Sequence, residues 1–285
     1  MALTAGKPPE SDADAGKFNI YLLPNLLTAG NLFCGFLALT RIVEADIQAT
    51  NLSAVIKQAL FFILLACIFD LLDDRVARMG GYDSPFGREF DSLADIISFG
   101  AAPAFLVHRI VLKDVAPNHP EVGWFLASIY LMCGAMRLAR FNCLAAMPNG
   151  SGAKEFLGFP IPAAAGLVAS LTLFLLWWDE KGFALGRSRY VLAFLMVLLS
   201  VMMVSTVRYP SFKKLDWRAR PTFTRMVIAI LVIGLFLIAW KKIIPVVLPV
   251  VFTAYLIYGF IRPWLSRRIV REIEDEEGES EGSGA

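Results

Sequence analysis

Between Phe69 and Gly100 the chain reads FDLLDDRVARMGGYDSPFGREFDSLADIISFG, which gathers six aspartates and one glutamate into 32 residues. Asp70 and Asp73 are three apart, and Asp91 and Asp95 are four apart, so each pair falls on one face of a helix. The intervening MGGYDSPFG, with Gly80, Gly81, Pro85 and Gly87, reads as a turn. Two antiparallel neighbouring helices are therefore expected, with their acidic faces able to meet. Four carboxylates that meet at the ends of apolar segments repel one another and resist desolvation, so something positive must compensate. Arg75, Arg78 and Arg88 supply part of that charge, and a divalent cation supplies it better. Carboxylates are hard oxygen ligands suited to magnesium or manganese, and with only two histidines and no Cys-x-x-Cys pair a zinc site is not expected. Magnesium keeps waters and takes phosphate oxygens, so acids, metal and arginines together point to phosphate chemistry. Asp83 and Glu89, taken singly, read as solvated helix-end charges.

The elements that must position these acids are apolar. Of 285 residues 57% are hydrophobic, and the mean hydropathy is +0.60, which indicates a membrane protein. A net charge of +2 offers no basic field for nucleic acid. Cys34, Cys67, Cys133 and Cys143 lie in or beside apolar runs and read as small packing residues. Residues 1–16 are polar, lack the apolar core of a secretory signal, and read as a disordered tail. Residues 269–285 form an acidic, Gly/Ser-rich second tail, which leaves 17–268 as a single transmembrane domain.

About eight apolar segments are long enough to cross a bilayer as helices: 24–43, 54–73, 89–111, 122–143, 160–178, 189–207, 223–241 and 243–261. The expected fold is all-α and polytopic. Lys241 and Lys242 separate the last two segments as a tight hairpin, and FNIYLLP at 18–24 is a candidate interfacial helix. An even number of spans puts both termini on one side. Eighteen of the 27 lysines and arginines fall on that side, among them Arg75, Arg78, Arg88, Arg137, Arg140, Arg208 and Lys213. This excess assigns the termini and the acidic segment to the cytoplasm.

The pattern Asp70-x2-Asp73-x3-Ala77-Arg78-x8-Gly87-x3-Asp91-x3-Asp95 resembles the signature of the CDP-alcohol phosphotransferases, D-x2-D-G-x2-A-R-x8-G-x3-D-x3-D. It departs at one position, where Asp74 stands in place of the family's glycine. Further stretches, LPNLLTAGNLFCGF at 23–36, MRLARFN at 136–142, GFPIPAAAG at 158–166 and VRYPSFKK at 207–214, are similar to the integral-membrane phosphatidylserine synthases of that family. The resemblance implies transfer of a phosphatidyl group from CDP-diacylglycerol to L-serine, with CMP released, by a homodimer in the cytoplasmic membrane of a prokaryote. It implies that Asp70, Asp73, Asp91 and Asp95 hold two magnesium or manganese ions and that Asp95 is the general base. It places Asp73, Ala77, Arg78 and Gly87 at the nucleotide.

Serine's carboxylate, or a lipid phosphate, needs a cation, and Arg137, Arg140, Arg208 and Lys213 are the candidates at cytoplasmic span ends, where arginines also serve as plain topology anchors. Asn31 and Asn142 are polar residues expected to face the bundle interior, Asn31 serving equally well as interhelical glue. Two other functions stay open at this point. Glycerol 3-phosphate or inositol phosphate as the acceptor would want a denser cationic pocket. A cation-coupled transporter would want acids at mid-membrane depth in several spans, whereas these cluster at one interface.

Overall fold

The computed structural model describes residues 22–45, 52–80, 84–112, 119–146, 155–182, 189–210, 244–259 and 261. Seven helical elements organise them. They are α1 (Leu22–Glu44), α2 (Leu52–Gly80), α3 (Pro85–Leu112), α4 (Pro120–Ala146), α5 (Ile161–Glu180), α6 (Arg189–Val204) and α7 (Ile244–Gly259). Five of them, α1 to α5, are long and apolar enough to cross a membrane, and α6 and α7 are shorter apolar helices. The protein is thus an all-α, membrane-embedded bundle. Each of the expected segments except 223–241 has a helix in it, and 223–241, with the Lys241–Lys242 hairpin, lies outside the described residues. So do residues 18–21 of the expected interfacial helix, since α1 begins at Leu22.

The helices form because a chain in lipid must satisfy its own backbone. Large apolar side chains such as Phe33, Phe36, Phe105 and Phe194 point outward, which lipid rewards and water would not. The interior is lined by smaller and shape-matched groups, among them Ala38, Ile42, Ala59, Ile63 and Ala66 between α1 and α2, with Phe99, Tyr130 and Phe159 deeper in. Gly35 on α1 marks the closest approach to α3: a Cβ there would lie 2.2 Å from Ser98 Oγ.

The two helices extend into MGGYDSPFG, the segment expected to be a turn. Helix α2 continues to Gly80, and Pro85 and Gly87 already belong to the first turn of α3. Ser84 is the N-cap, its hydroxyl accepting from the Gly87 N–H at 3.0 Å, and Pro85 sits at the first helical position, where no N–H is required.

Two departures from a regular bundle were not anticipated. In α3 the α-helical turns of Pro85–Asp95 give way to π-helical turns over Ile96–Ala101 and again over His108–Leu112. Each wide turn shifts the face that follows it, so a 3.6-residue period cannot be followed through this span. Pro103 brings no N–H to this region, and the Tyr130 hydroxyl donates to the Phe99 carbonyl at 3.1 Å. The second departure is a short antiparallel ladder, β1 (Glu155–Leu157) against β2 (Arg208–Pro210), with Phe156 opposite Tyr209. Gly158 follows at φ +80, a conformation that favours glycine, and its N–H bonds the Val207 carbonyl at 2.9 Å.

Gly35→Ala is expected to force α1 from α3 and to destabilise the bundle by about 1–3 kcal/mol through overpacking. Thermal melting in detergent checks this, with Phe36→Leu on the exposed face as the unchanged control.

Candidate active site

The acids do meet. Asp70 comes from the last third of α2 and Asp91 and Asp95 from the first turns of α3, and one carboxylate oxygen of each lies within 4.8 Å of the others. Asp91 and Asp95, four apart on a helix, project together, and Asp70 of α2 meets them. Two unit charges at that separation repel by about 3 kcal/mol at an effective dielectric of about 20. The donor set is entirely carboxylate oxygen, which suits a hard divalent cation.

Asp73 stands beside this group rather than in it. The Thr28 hydroxyl of α1 donates to Asp73 Oδ2, while Asp73 Oδ1 is buried with no hydrogen-bond partner among the described residues. A buried carboxylate oxygen without a donor is costly, and a cation ligated there would satisfy it. Asp74, the residue in place of the family's glycine, is exposed and within charge range of Asp70, Asp73 and Asp91.

The other expected positions separate clearly. Arg137 on α4 is buried, 6% exposed, and its charge is felt by both Asp95 and Asp70. Arg140, one helical turn further, faces elsewhere: its guanidinium donates to the Val204 and Ser205 carbonyls at 3.0 and 3.2 Å, tying α4 to the end of α6. Those are the carbonyls a helix C-terminus leaves without internal donors. Asn142 donates to Ser92 Oγ at 2.9 Å and to Glu89 Oε2 at 3.3 Å, joining α4 to α3. Ala77 lies half-buried on α2, and Gly87 sits at the start of α3. Arg78 is in α2 and Arg208 in β2, with side chains outside the described residues, and Lys213 lies outside them altogether.

Helix α1 supplies what the acid pattern did not reveal. Thr28 reaches Asp73, and three residues on, Asn31 Nδ2 donates to Asp95 Oδ1 at 3.1 Å. The available signal was Thr28 and Asn31, polar residues three apart on one face of a mostly apolar span.

Residues 21–204 match the family described as CDP-alcohol phosphatidyltransferase, a stretch that contains every helix from α1 to α6 and all the acids above. The chain belongs to the CDP-alcohol phosphatidyltransferase family. Members of this family generally use divalent metal ions, in keeping with the oxygen cluster. Among curated relatives, the CDP-diacylglycerol–serine O-phosphatidyltransferase of Helicobacter pylori (strain ATCC 700392 / 26695) is 36% identical over 248 residues, covering 86% of this chain and 92% of that one. The archaetidylserine synthase of Methanothermobacter thermautotrophicus is 35% identical over 190 residues, 66% of this chain and 69% of its own. The CDP-diacylglycerol–serine O-phosphatidyltransferase of Bacillus subtilis is 31% identical over 192 residues, 67% of this chain and 92% of its own.

If repulsion among Asp70, Asp91 and Asp95 dominates the metal-free site, Asp91→Asn raises the melting midpoint in chelator by a few degrees. A differential scan with and without chelator checks this, and the variant's gain should vanish when divalent cation is present.

Proposed function

We propose that this phosphatidyltransferase moves the phosphatidyl group of CDP-diacylglycerol to the hydroxyl of L-serine, forming phosphatidylserine and CMP. The observation that carries the reading is the triad of carboxylates, Asp70, Asp91 and Asp95, drawn within 4.8 Å at the adjoining ends of two membrane-embedded helices. The relatives' names support serine as the acceptor, since the bacterial enzymes and the archaeal synthase share that word while their lipids differ.

Asp70, Asp73, Asp91 and Asp95 would hold two divalent ions, magnesium or manganese. Bound there, the ions neutralise the diphosphate and the charge that develops on departing CMP. The chain's residues do the rest. Asp95 accepts the proton of the serine hydroxyl as that oxygen bonds to the β-phosphorus and the bond from that phosphorus to the CMP oxygen breaks. Arg137 is the buried cation nearest in charge to Asp95 and holds the serine carboxylate. Arg140, committed to helix-end carbonyls, has less to offer a substrate. Ala77 and Gly87 leave room for the nucleotide, Asp73 lies on that side, and Arg78 reaches a nucleotide phosphate. Arg208 and Lys213 stand as further cations for the lipid phosphate.

The acyl chains stay in the bilayer while the head group enters the acidic end of α2 and α3. The excess of lysine and arginine on that side supports a cytoplasmic active site and cytoplasmic termini, in a prokaryotic membrane. The catalytic domain spans 17–268, between two tails, and works as a homodimer.

Membranes or purified enzyme given CDP-diacylglycerol and labelled serine, glycerol 3-phosphate or inositol phosphate test the acceptor. Serine incorporation with CMP release, abolished by chelator and restored by magnesium or manganese, is expected; incorporation of glycerol 3-phosphate without serine overturns the reading. Asp95→Asn is expected to lower turnover at least 1,000-fold while CDP-diacylglycerol binding changes less than threefold. Near-normal turnover in that variant would remove Asp95 from the role of base.

A further inference from the structure

Asn31 is completely enclosed, at 0% exposed, in the middle of α1. Two hydrogen bonds hold it. Its Nδ2 donates to Asp95 Oδ1 at 3.1 Å, and its backbone carbonyl accepts from the Ser98 hydroxyl at 2.9 Å. Ser98 in turn is pressed against Gly35, where not even a methyl group fits. The donor of Ser98 lies in the π-helical turns that begin immediately after Asp95. Asp95 and Ser98, on either side of the point where those turns begin, are thus both tied to α1 through Asn31.

The amide is oriented. Asn31 Oδ1 is buried and has no hydrogen-bond donor among the described residues, a cost of about 1–3 kcal/mol that a hydrophobic residue would avoid. Turning the amide over would relieve nothing, because its oxygen would then face the Asp95 carboxylate. The side chain therefore tolerates one bare acceptor in order to present one N–H to one oxygen of Asp95.

The choice of a neutral donor is chemically specific. A lysine or arginine at this position would also bond Asp95, but its charge would compete with a divalent cation for the same acids. An amide fixes the oxygen and leaves the carboxylate's charge in place. One cation, Arg137, already acts on Asp95 from the α4 side, so α1 need supply only direction.

We propose that Asn31 is a positioning residue for Asp95: its N–H holds one carboxylate oxygen and thereby fixes the direction in which the other projects. This rests on the reading of Asp95 as the base. Loss of the N–H then slows the proton transfer without altering how either substrate is held, because a near-attack geometry tolerates little displacement.

The test compares Asn31→Ala, which removes the donor, and Asn31→Asp, which is isosteric and replaces the donor with an acceptor. Both are assayed in full-length detergent-solubilised enzyme, with wild-type serine incorporation measured in the same preparation. Expected is a kcat lower by 30-fold or more in Asn31→Ala and by 300-fold or more in Asn31→Asp, with KM for serine and for CDP-diacylglycerol each within threefold. The double variant Asn31→Asp with Asp95→Asn restores one amide–carboxylate pair across the interface. It should recover the melting midpoint lost in Asn31→Asp and no turnover. The proposal is overturned if folded Asn31→Ala keeps kcat within threefold of wild type. It is equally overturned if serine KM rises while kcat holds, or if the double variant regains turnover along with stability. Wild-type enzyme that makes no phosphatidylserine refutes the proposed acceptor alone; the same kcat and KM comparison then proceeds with whichever alcohol releases CMP.

Discussion

Mutual repulsion of buried-side carboxylates is the constraint around which this bundle is arranged. Asp70, Asp91 and Asp95 are held closer than three anions would choose, at the edge of an apolar phase where water cannot screen them well. A fold that maintains such an arrangement must oppose it mechanically. The Ser84 cap and Pro85 start α3 in one direction, Asn31 and Thr28 reach from α1 to two of the acids, and Arg137 faces them from α4. The cluster's donors are all carboxylate oxygens, the kind that suit a hard divalent cation.

The surrounding helices explain why that opposition does not yield. Small side chains allow close backbone approach, and in a membrane such packing replaces the hydrophobic drive between helices. At Gly35 and Ser98 there is no slack, so a push at Asp95 is passed to the whole length of α1 rather than absorbed by a side chain. Arg140 performs a similar service at another point, holding the end of α6 to α4 beside the β1–β2 ladder. Within a single helical turn, one arginine ties helix ends together and the next lies buried within charge range of the acids.

The acid motif and the spans were legible because each is periodic: three- and four-residue spacings put carboxylates on a face, and runs of apolar residues long enough to cross a bilayer declare themselves. The turn between α2 and α3 was less so. Gly87 and Pro85 look like turn residues, yet a serine cap converts them into the first helical turn. The wide turns in α3 left no periodic trace, since a π turn is decided by how Ser98, Pro103 and their neighbours pack and not by composition. Arg137 and Arg140 are alike in sequence, three apart on one helix. Their different surroundings come from α3 on one side and α6 on the other.

What the amino-acid sequence determined by itself is local: which segments are helical and apolar, and where the carboxylates project from each helix. These follow from hydropathy and helical period, properties of neighbours along the chain. The tertiary structure decided which groups meet across helices, that Asp73 turns to Thr28 while the other three acids converge, and that one amide in α1 faces Asp95. The two pairings with α1 join residues 45 and 64 positions apart, and their geometry depends on how closely whole helices pack, which no local spacing encodes.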